Sequence, residues 1–95
     1  MNKQLAFIGL GRMGAAMTAR LVEQGYEVHG FDANADARAQ ASAEGVKTYN
    51  TLEETISMLD ASRTVWMMVP SKYVDAVLEQ LRPLLSRDDT IIDGG

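Results

Sequence analysis

The chain has no cysteine, one histidine, one tryptophan and two prolines among its 95 residues. Without cysteine there is no disulfide and no thiolate metal site. A single histidine cannot supply the ligand cluster that a zinc or iron centre needs, so no metal site is expected. The lack of cysteine agrees with a reducing, cytoplasmic setting, which is the location expected. An excess of basic charge is also missing: 9 Lys and Arg stand against 13 Asp and Glu, a net charge of −4. General nucleic-acid binders and proteins of anionic membrane surfaces are basic, so neither partner is expected. Long apolar runs are absent too. The stretch after Met1–Lys3 soon meets Gly11 and Arg12, too short for a signal-peptide core or a membrane span. No repeat, low-complexity tract or linker interrupts the chain.

What remains is a chain that is 46% apolar, enough for the core of one small domain over residues 1–95. Apolar runs of strand length alternate with longer helical patterns, as in parallel βαβ units. Lys3 to Ile8 reads as a first strand, apolar without alternation and so covered on both faces. Arg12 to Gln24 reads as a helix with Met13, Met17 and Leu21 on its inner face and Gly25 at its end. Glu27 to Phe31 is the second strand. Asn34 can cap an alanine-rich helix running to Ala43 and ended by Gly45. Val46 to Tyr49 is a short third strand. Thr51-Leu52-Glu53-Glu54 forms a capping box for a helix to about Leu59.

Thr64 to Val69 is the fourth strand, closed by Pro70. A helix from Ser71 or Lys72 carries Val74, Val77, Leu78 and Leu81 on one stripe until Pro83 ends it. Thr90 to Ile92 is the fifth strand. Right-handed crossovers then give the order 3-2-1-4-5, an α/β fold with a Rossmann-like doubly wound parallel sheet. It is truncated before the sixth strand of a full dinucleotide domain, which suggests a piece of a longer protein.

The run Gly9-Leu10-Gly11-Arg12-Met13-Gly14 fits G-x-G-x-x-G between the first strand and its helix. Asp32 closes the next strand, about 20 positions on. Each position has a physical reason. Gly9 permits the tight turn, Gly11 leaves room for a pyrophosphate at the backbone, and Gly14 lets the helix pack on the strand. The helix start aims unpaired N–H groups and its positive dipole end at the phosphates. Asp32 accepts from the ribose hydroxyls. The ends of the strands carrying Gly9, Asp32, Val69 and Asp93 share one edge, where open α/β sheets bind ligands. The plain alternative is a glycine-rich turn that binds nothing.

Phe7 to Gly14, Phe31-Asp32, Met67-Met68-Val69-Pro70 and Ile91-Ile92-Asp93-Gly94-Gly95 together resemble the N-terminal domain of the decarboxylating 6-phosphogluconate dehydrogenase family, within the β-hydroxyacid dehydrogenase superfamily. The likeness spans essentially the whole chain. It implies a cofactor site at Gly9, Leu10, Gly11, Arg12, Met13 and Gly14, at Asp32, Ala33 and Asn34, and at Val69, Pro70 and Ser71. It also implies a sugar-acid phosphate substrate, oxidative decarboxylation to a pentulose phosphate, and a homodimer in the full-length protein. The family's catalytic lysine and glutamate fall beyond Gly95, in a substrate domain this chain does not include, so no catalytic residue is expected within it. NADP-dependent members have Asn-Arg-Ser or Asn-Arg-Thr where this chain has Asp32-Ala33-Asn34, which implies NAD as cofactor. The chain also has Lys72 after Pro70-Ser71 where the family commonly has glycine. Another β-hydroxyacid dehydrogenase, such as one acting on 3-hydroxyisobutyrate, and a stand-alone NAD(H)-binding regulatory module are the alternatives.

Single residues admit plainer readings. Arg12 reads as a solvated residue at a helix start, since backbone amides already meet the phosphates. Lys72 can be a cofactor or substrate contact or a solvated lysine. His29 has no carboxylate or second histidine patterned near it and reads as structural or exposed. Trp66, Met67 and Met68 read as core, with Met68 able to touch the nicotinamide side. Asp93 reads as a partner of the following turn.

Overall fold

A computed structural model describes residues 3–94. Met1, Asn2 and Gly95, which enter the readings above, lie outside the described residues. Five strands and four α-helices alternate: β1 (Gln4–Ile8), α1 (Arg12–Glu23), β2 (Glu27–Phe31), α2 (Ala35–Ala43), β3 (Lys47–Thr48), α3 (Leu52–Ser57), β4 (Thr64–Met67), α4 (Val74–Leu81) and β5 (Thr90–Asp93). The sheet order is β3-β2-β1-β4-β5, as expected from the sequence, and every pairing is parallel.

The unbroken apolar run of β1 is explained by its central place. Ala6 and Ile8 face one core, with Leu52 and Ile56 of α3, Val65 and Met67 of β4 and Leu81 of α4. Leu5 and Phe7 face the other, with Val28 of β2, Ala41 of α2, and Leu10 and Val46 from the loops. A strand buried on both sides has no place for a polar residue. Each large side chain so buried contributes about 1.5–3 kcal/mol. The stripe of α4 holds as read: Leu81 is buried, and Val74, Val77 and Leu78 pack against the first core.

Capping fixes the helix starts. The Asn34 Oδ1 accepts from Asp36 N at 2.8 Å and Ala37 N at 3.2 Å. Thr51 Oγ1 accepts from Glu54 N at 3.0 Å, as the capping box requires.

Some boundaries and one face differ from the sequence reading. Strand β3 is reduced to Lys47–Thr48, and a 3-10 turn, Ser71–Tyr73, precedes α4. Strand β4 ends at Met67 rather than Val69, although Met68 N still donates to Ile8 O at 2.7 Å. The inner face of α1 is not centred on Met13, which is 68% exposed; the buried positions are Gly14 and Thr18. Small residues let the helix sit close to the sheet, so the contact stripe turns toward them and away from the first methionine. Met17 and Leu21 flank that stripe, packed on the second core.

Candidate functional site

All strands run the same way, so the ends of β1, β2, β4 and β5 bring Gly9, Asp32, Met68 and Gly94 to one edge of the sheet. The order in which strands are added reverses at β1, which has β2 on one side and β4 on the other. The crevice of an open α/β sheet lies at such a point.

The glycine loop is built from three differently constrained positions. Gly9 has φ +101°, and a Cβ there would come within 2.5 Å of Met68 O. Its N–H donates to Phe31 O at 2.9 Å, so the turn is tied to β2 and abuts the end of β4. A Cβ at Gly14 would fall on the Gly9 carbonyl oxygen and 3.3 Å from Phe7 Cε1. Both glycines are therefore required by the chain's own packing. Gly11 is not: its φ of −68° and ψ of −166° suit any residue, and a Cβ would meet nothing within 4 Å. Its bareness has no cause inside the protein and leaves open space at the start of α1.

That helix start is electrostatically bare as well. Gly11 is the N-cap, no side chain caps it, and the first turn holds no acidic residue. The unpaired N–H groups and the dipole of a 12-residue helix thus have no side chain of the helix itself to offset them. This fits a pyrophosphate, whose oxygens accept from such groups.

Asp32 ties the loop to the end of β2. Its Oδ2 accepts from Leu10 N at 2.7 Å and its Oδ1 from Asn34 N at 2.8 Å. Each carboxylate oxygen keeps a further lone pair, which is what ribose hydroxyls would use. The carboxylate is thereby held in one orientation before any ligand arrives.

The other expected site residues divide into two groups. Arg12, Met13, Ala33, Pro70 and Ser71 are exposed along this edge. Leu10, Asn34 and Val69 do structural work with their side chains. Leu10 is buried in the second core, and only its N–H reaches the site, through Asp32. Asn34 spends its side-chain oxygen on capping α2. Val69 packs on the first core. The Lys72 ammonium lies 5.2 Å from the centroid of the Tyr73 ring, over its own neighbour.

Two features escaped the sequence reading. The first is Arg38, whose Nη1 donates to the Asp32 carbonyl oxygen at 2.7 Å. Six positions separate the two residues, and only the entry of α2 brings them together. The second is the packing of Gly94. A Cβ there would strike the Trp66 indole, 2.7 Å from Cε2, and lie 2.9 Å from Met68 Sδ, so these half-buried side chains dictate a glycine after β5.

His29 corrects an expectation. A carboxylate does stand beside it: Glu27 Oε2 is 2.6 Å from Nε2, and the Tyr49 hydroxyl is 2.8 Å from Nδ1. Residues i and i+2 of a strand share a face, which is the signal that was available. The ring is 1% exposed, on the β2 residue that pairs with Ala6 of β1. In its neutral form it donates from Nε2 to Glu27 and accepts at Nδ1 from Tyr49. Hydrogen bonds from Gln4 and then His29, with the Lys47 charge, hold the Glu27 carboxyl down at about 2. Burial, and then the Glu27 charge, push the Tyr49 phenol up. The network is structural.

Among the described residues no group of three His, Asp or Glu side chains could hold a metal ion. No helix among them is long and apolar enough to cross a membrane.

Over residues 4–95 the chain matches the family described as the NAD binding domain of 6-phosphogluconate dehydrogenase. It is similar to the NAD(+)-dependent, decarboxylating 6-phosphogluconate dehydrogenase of Haloferax volcanii, with 40% identity over 97% of this chain and 31% of that protein. The NAD(+)-dependent, decarboxylating 6-phosphogluconate dehydrogenase of Bacillus subtilis is 31% identical over 100% of this chain and 21% of that protein. Among solved structures, 3-hydroxyisobutyrate dehydrogenase of Mycobacterium tuberculosis has a TM-score of 0.88 and 33% identity, covering 98% of this chain and 31% of that one. Prephenate dehydrogenase of Aquifex aeolicus, solved with NAD+, shares the fold with a TM-score of 0.81 at 20% identity, covering 96% of this chain and 32% of that one. The chain thus spans about a third or less of the length of each.

Proposed function

We propose, from the premise that the chain belongs to the family of the NAD-binding domain of 6-phosphogluconate dehydrogenase, that it is the coenzyme-binding domain, residues 1–95, of an NAD-dependent oxidoreductase that oxidatively decarboxylates 6-phosphogluconate to ribulose 5-phosphate. The observation that carries the reading is the bare Gly11 at an uncapped helix start, next to Leu10, whose N–H fixes the carboxylate of Asp32. A glycine needed by no neighbour, beside unpaired N–H donors and one clamped acid, suits a dinucleotide and has no use in a simple turn.

The groups divide along the ligand. The amides that open α1, from Gly11 through Met13, would hold the pyrophosphate, and Asp32 the adenosine ribose, with Ala33 and Asn34 at its rim. The segment Val69, Pro70 and Ser71 would border the nicotinamide. Bound NAD supplies a hydride acceptor. This chain's residues bind and orient it; they do not offer a paired general acid and base at the crevice. His29 is buried in the Glu27–Tyr49 network, and Lys72 rests over Tyr73. The chemistry of the substrate hydroxyl and carboxylate therefore belongs to a substrate domain outside this chain, in keeping with relatives of which the match covers only 31% and 21%. We place the full-length protein in the cytoplasm, as a homodimer acting in the pentose phosphate pathway.

A second reading has a specific observation behind it. The fit to a 3-hydroxyisobutyrate dehydrogenase at TM-score 0.88 supports the same domain serving another β-hydroxyacid. The stand-alone binding module is disfavoured by the length of the relatives. The test is reduction of NAD by the full-length protein with 6-phosphogluconate and with 3-hydroxyisobutyrate. Reduction with the first, together with release of carbon dioxide, is expected. Reduction with the second alone would transfer the domain to the other substrate class.

A further inference from the structure

One stacked pair of rings links the start of α1 to the exit of β5. Phe7 of β1 and Trp66 of β4 are register partners on adjacent strands. Their ring centroids are 6.2 Å apart and their planes differ by 5°. Phe7 is fully buried, and its Cε1 lies 3.3 Å from where a Cβ on Gly14 would stand, in the first turn of α1. Trp66 reaches the other way. Its indole occupies the place of a Cβ on Gly94, with Nε1 and Cε2 the nearest atoms. The backbone of Gly94 does not itself call for glycine, since its φ is not positive. Met68 Sδ would also lie 2.9 Å from that Cβ, but the end of a thioether can swing aside. The indole, stacked on Phe7, is what excludes a side chain at this position.

Tryptophan is a costly choice for this place. The indole Nε1 is buried and has no hydrogen-bond partner among the described residues. A buried indole N–H ordinarily finds an acceptor. Phenylalanine would keep the stack on Phe7 without leaving a donor unpaired, but its single ring would end short of Gly94. What the larger ring adds is the contact with the exit of β5. Gly94 also donates from its N–H to Met67 O at 2.9 Å, so it is fixed against β4 by main chain and side chain together. We propose that Trp66 is a positioning residue: braced on Phe7, it sets where the exit of β5 lies relative to the glycine loop, and through it the geometry in which substrate meets the nicotinamide. This rests on the NAD-dependent dehydrogenase reading argued above. Trp66 acts through Gly94 and not on a reactant. Hydride transfer depends steeply on geometry, and a misplacement of about 1 Å can cost roughly a hundredfold in rate. Cofactor binding depends instead on the start of α1 and on Asp32, which the Gly94 contact does not hold. Binding and turnover should therefore separate.

The test uses the full-length protein with Gly94→Ala, Trp66→Leu, Trp66→Phe and the double variant Gly94→Ala/Trp66→Leu. Reduction of NAD is measured with 6-phosphogluconate, or with 3-hydroxyisobutyrate if the parent oxidises only that substrate, beside NAD affinity by calorimetry. Gly94→Ala should lower kcat about tenfold or more, while NAD affinity stays within about threefold of the parent. Adding Trp66→Leu should win back about threefold or more of that loss, because the new methyl then has room. Trp66→Leu and Trp66→Phe alone should each lower kcat about threefold or more with NAD affinity held, since neither reaches Gly94. If Trp66→Leu is unfolded by circular dichroism, Trp66→Phe takes its place in the double variant. If Gly94→Ala is unfolded, the double variant should fold and turn over, and an unfolded or inactive double variant overturns the inference. It is overturned as well if Gly94→Ala keeps its kcat, if the double variant shows no rescue, if both single Trp66 variants turn over like the parent, or if NAD affinity falls in step with kcat. A parent that oxidises neither substrate would instead overturn the dehydrogenase reading, and this inference with it.

Discussion

Replacing Gly11 and Gly14 one at a time should separate what the glycine loop does for the fold from what it does for the ligand. In Gly14→Ala the new methyl falls on the Gly9 carbonyl oxygen, and Phe7 Cε1 closes the other side at 3.3 Å. A backbone oxygen cannot swing away, so α1 must lift from the sheet. Overpacking of this kind costs about 1–3 kcal/mol. In a domain of this size about 2 kcal/mol lowers the melting temperature by roughly 8–16 °C. In Gly11→Val nothing lies within 4 Å, and the backbone is already in an extended conformation open to valine. A poorer N-cap costs up to about 1 kcal/mol, offset in part by a stiffer unfolded chain worth about 0.4–1 kcal/mol. The melting temperature should move by only a few degrees. NAD affinity should behave the other way, falling about a hundredfold or more in Gly11→Val because the side chain fills the pyrophosphate's space. Thermal melts by circular dichroism and calorimetric titration with NAD read the two effects. Unchanged NAD affinity in Gly11→Val would mean that the loop is only a turn. Unchanged stability in Gly14→Ala would refute the packing argument.

Acid should destabilise the protein through Glu27, whose carboxyl is drawn from 4.5 to about 2 by Gln4 and His29 in the folded state. A lowered folded value means the contribution is full above the unfolded value and is lost as pH falls from about 4.5 toward 2. Urea titrations across that range should show a flatter pH dependence in Glu27→Gln, and an identical slope would remove Glu27 as the cause. Asp89, held down by the N–H groups of Arg63 and Ser86 and by the Arg63 guanidinium, adds to the same limb. Strand β5 pairs only with β4 among the described strands, and its Ile91 is 37% exposed, so the 95-residue chain should self-associate. Light scattering showing a clean monomer at high concentration would mean that this edge is protected.

Much of the fold was legible because its signals are local. An apolar run without alternation marks β1 as central, and Asn34, Thr51 and the glycines after α1 and α2 punctuate the helices where the structure ends or begins them. Parallel order followed from the alternation of elements. The face of α1 was misjudged because hydrophobicity favours Met13, whereas close approach favours Gly14 and Thr18. The glycine loop and Asp32 could be read from spacing, but the hydrogen bond that joins them, Leu10 N to Asp32, could not. Arg38 left no sequence trace, since its partner is a main-chain oxygen and its reach depends on where α2 begins. The Glu27–His29 pair was readable from strand alternation. Its third member, Tyr49, depends on the β2–β3 pairing.

The central claim is that this chain binds NAD through a site that reads the ribose with Asp32. Its most direct test is calorimetric titration of the unaltered protein with NAD and NADP at one salt concentration. The clamped carboxylate should repel a 2′-phosphate. NAD should therefore bind about tenfold to a hundredfold more tightly, a difference of roughly 1.4–2.8 kcal/mol. Binding of neither cofactor, or NADP affinity equal to or above that of NAD, would contradict the account.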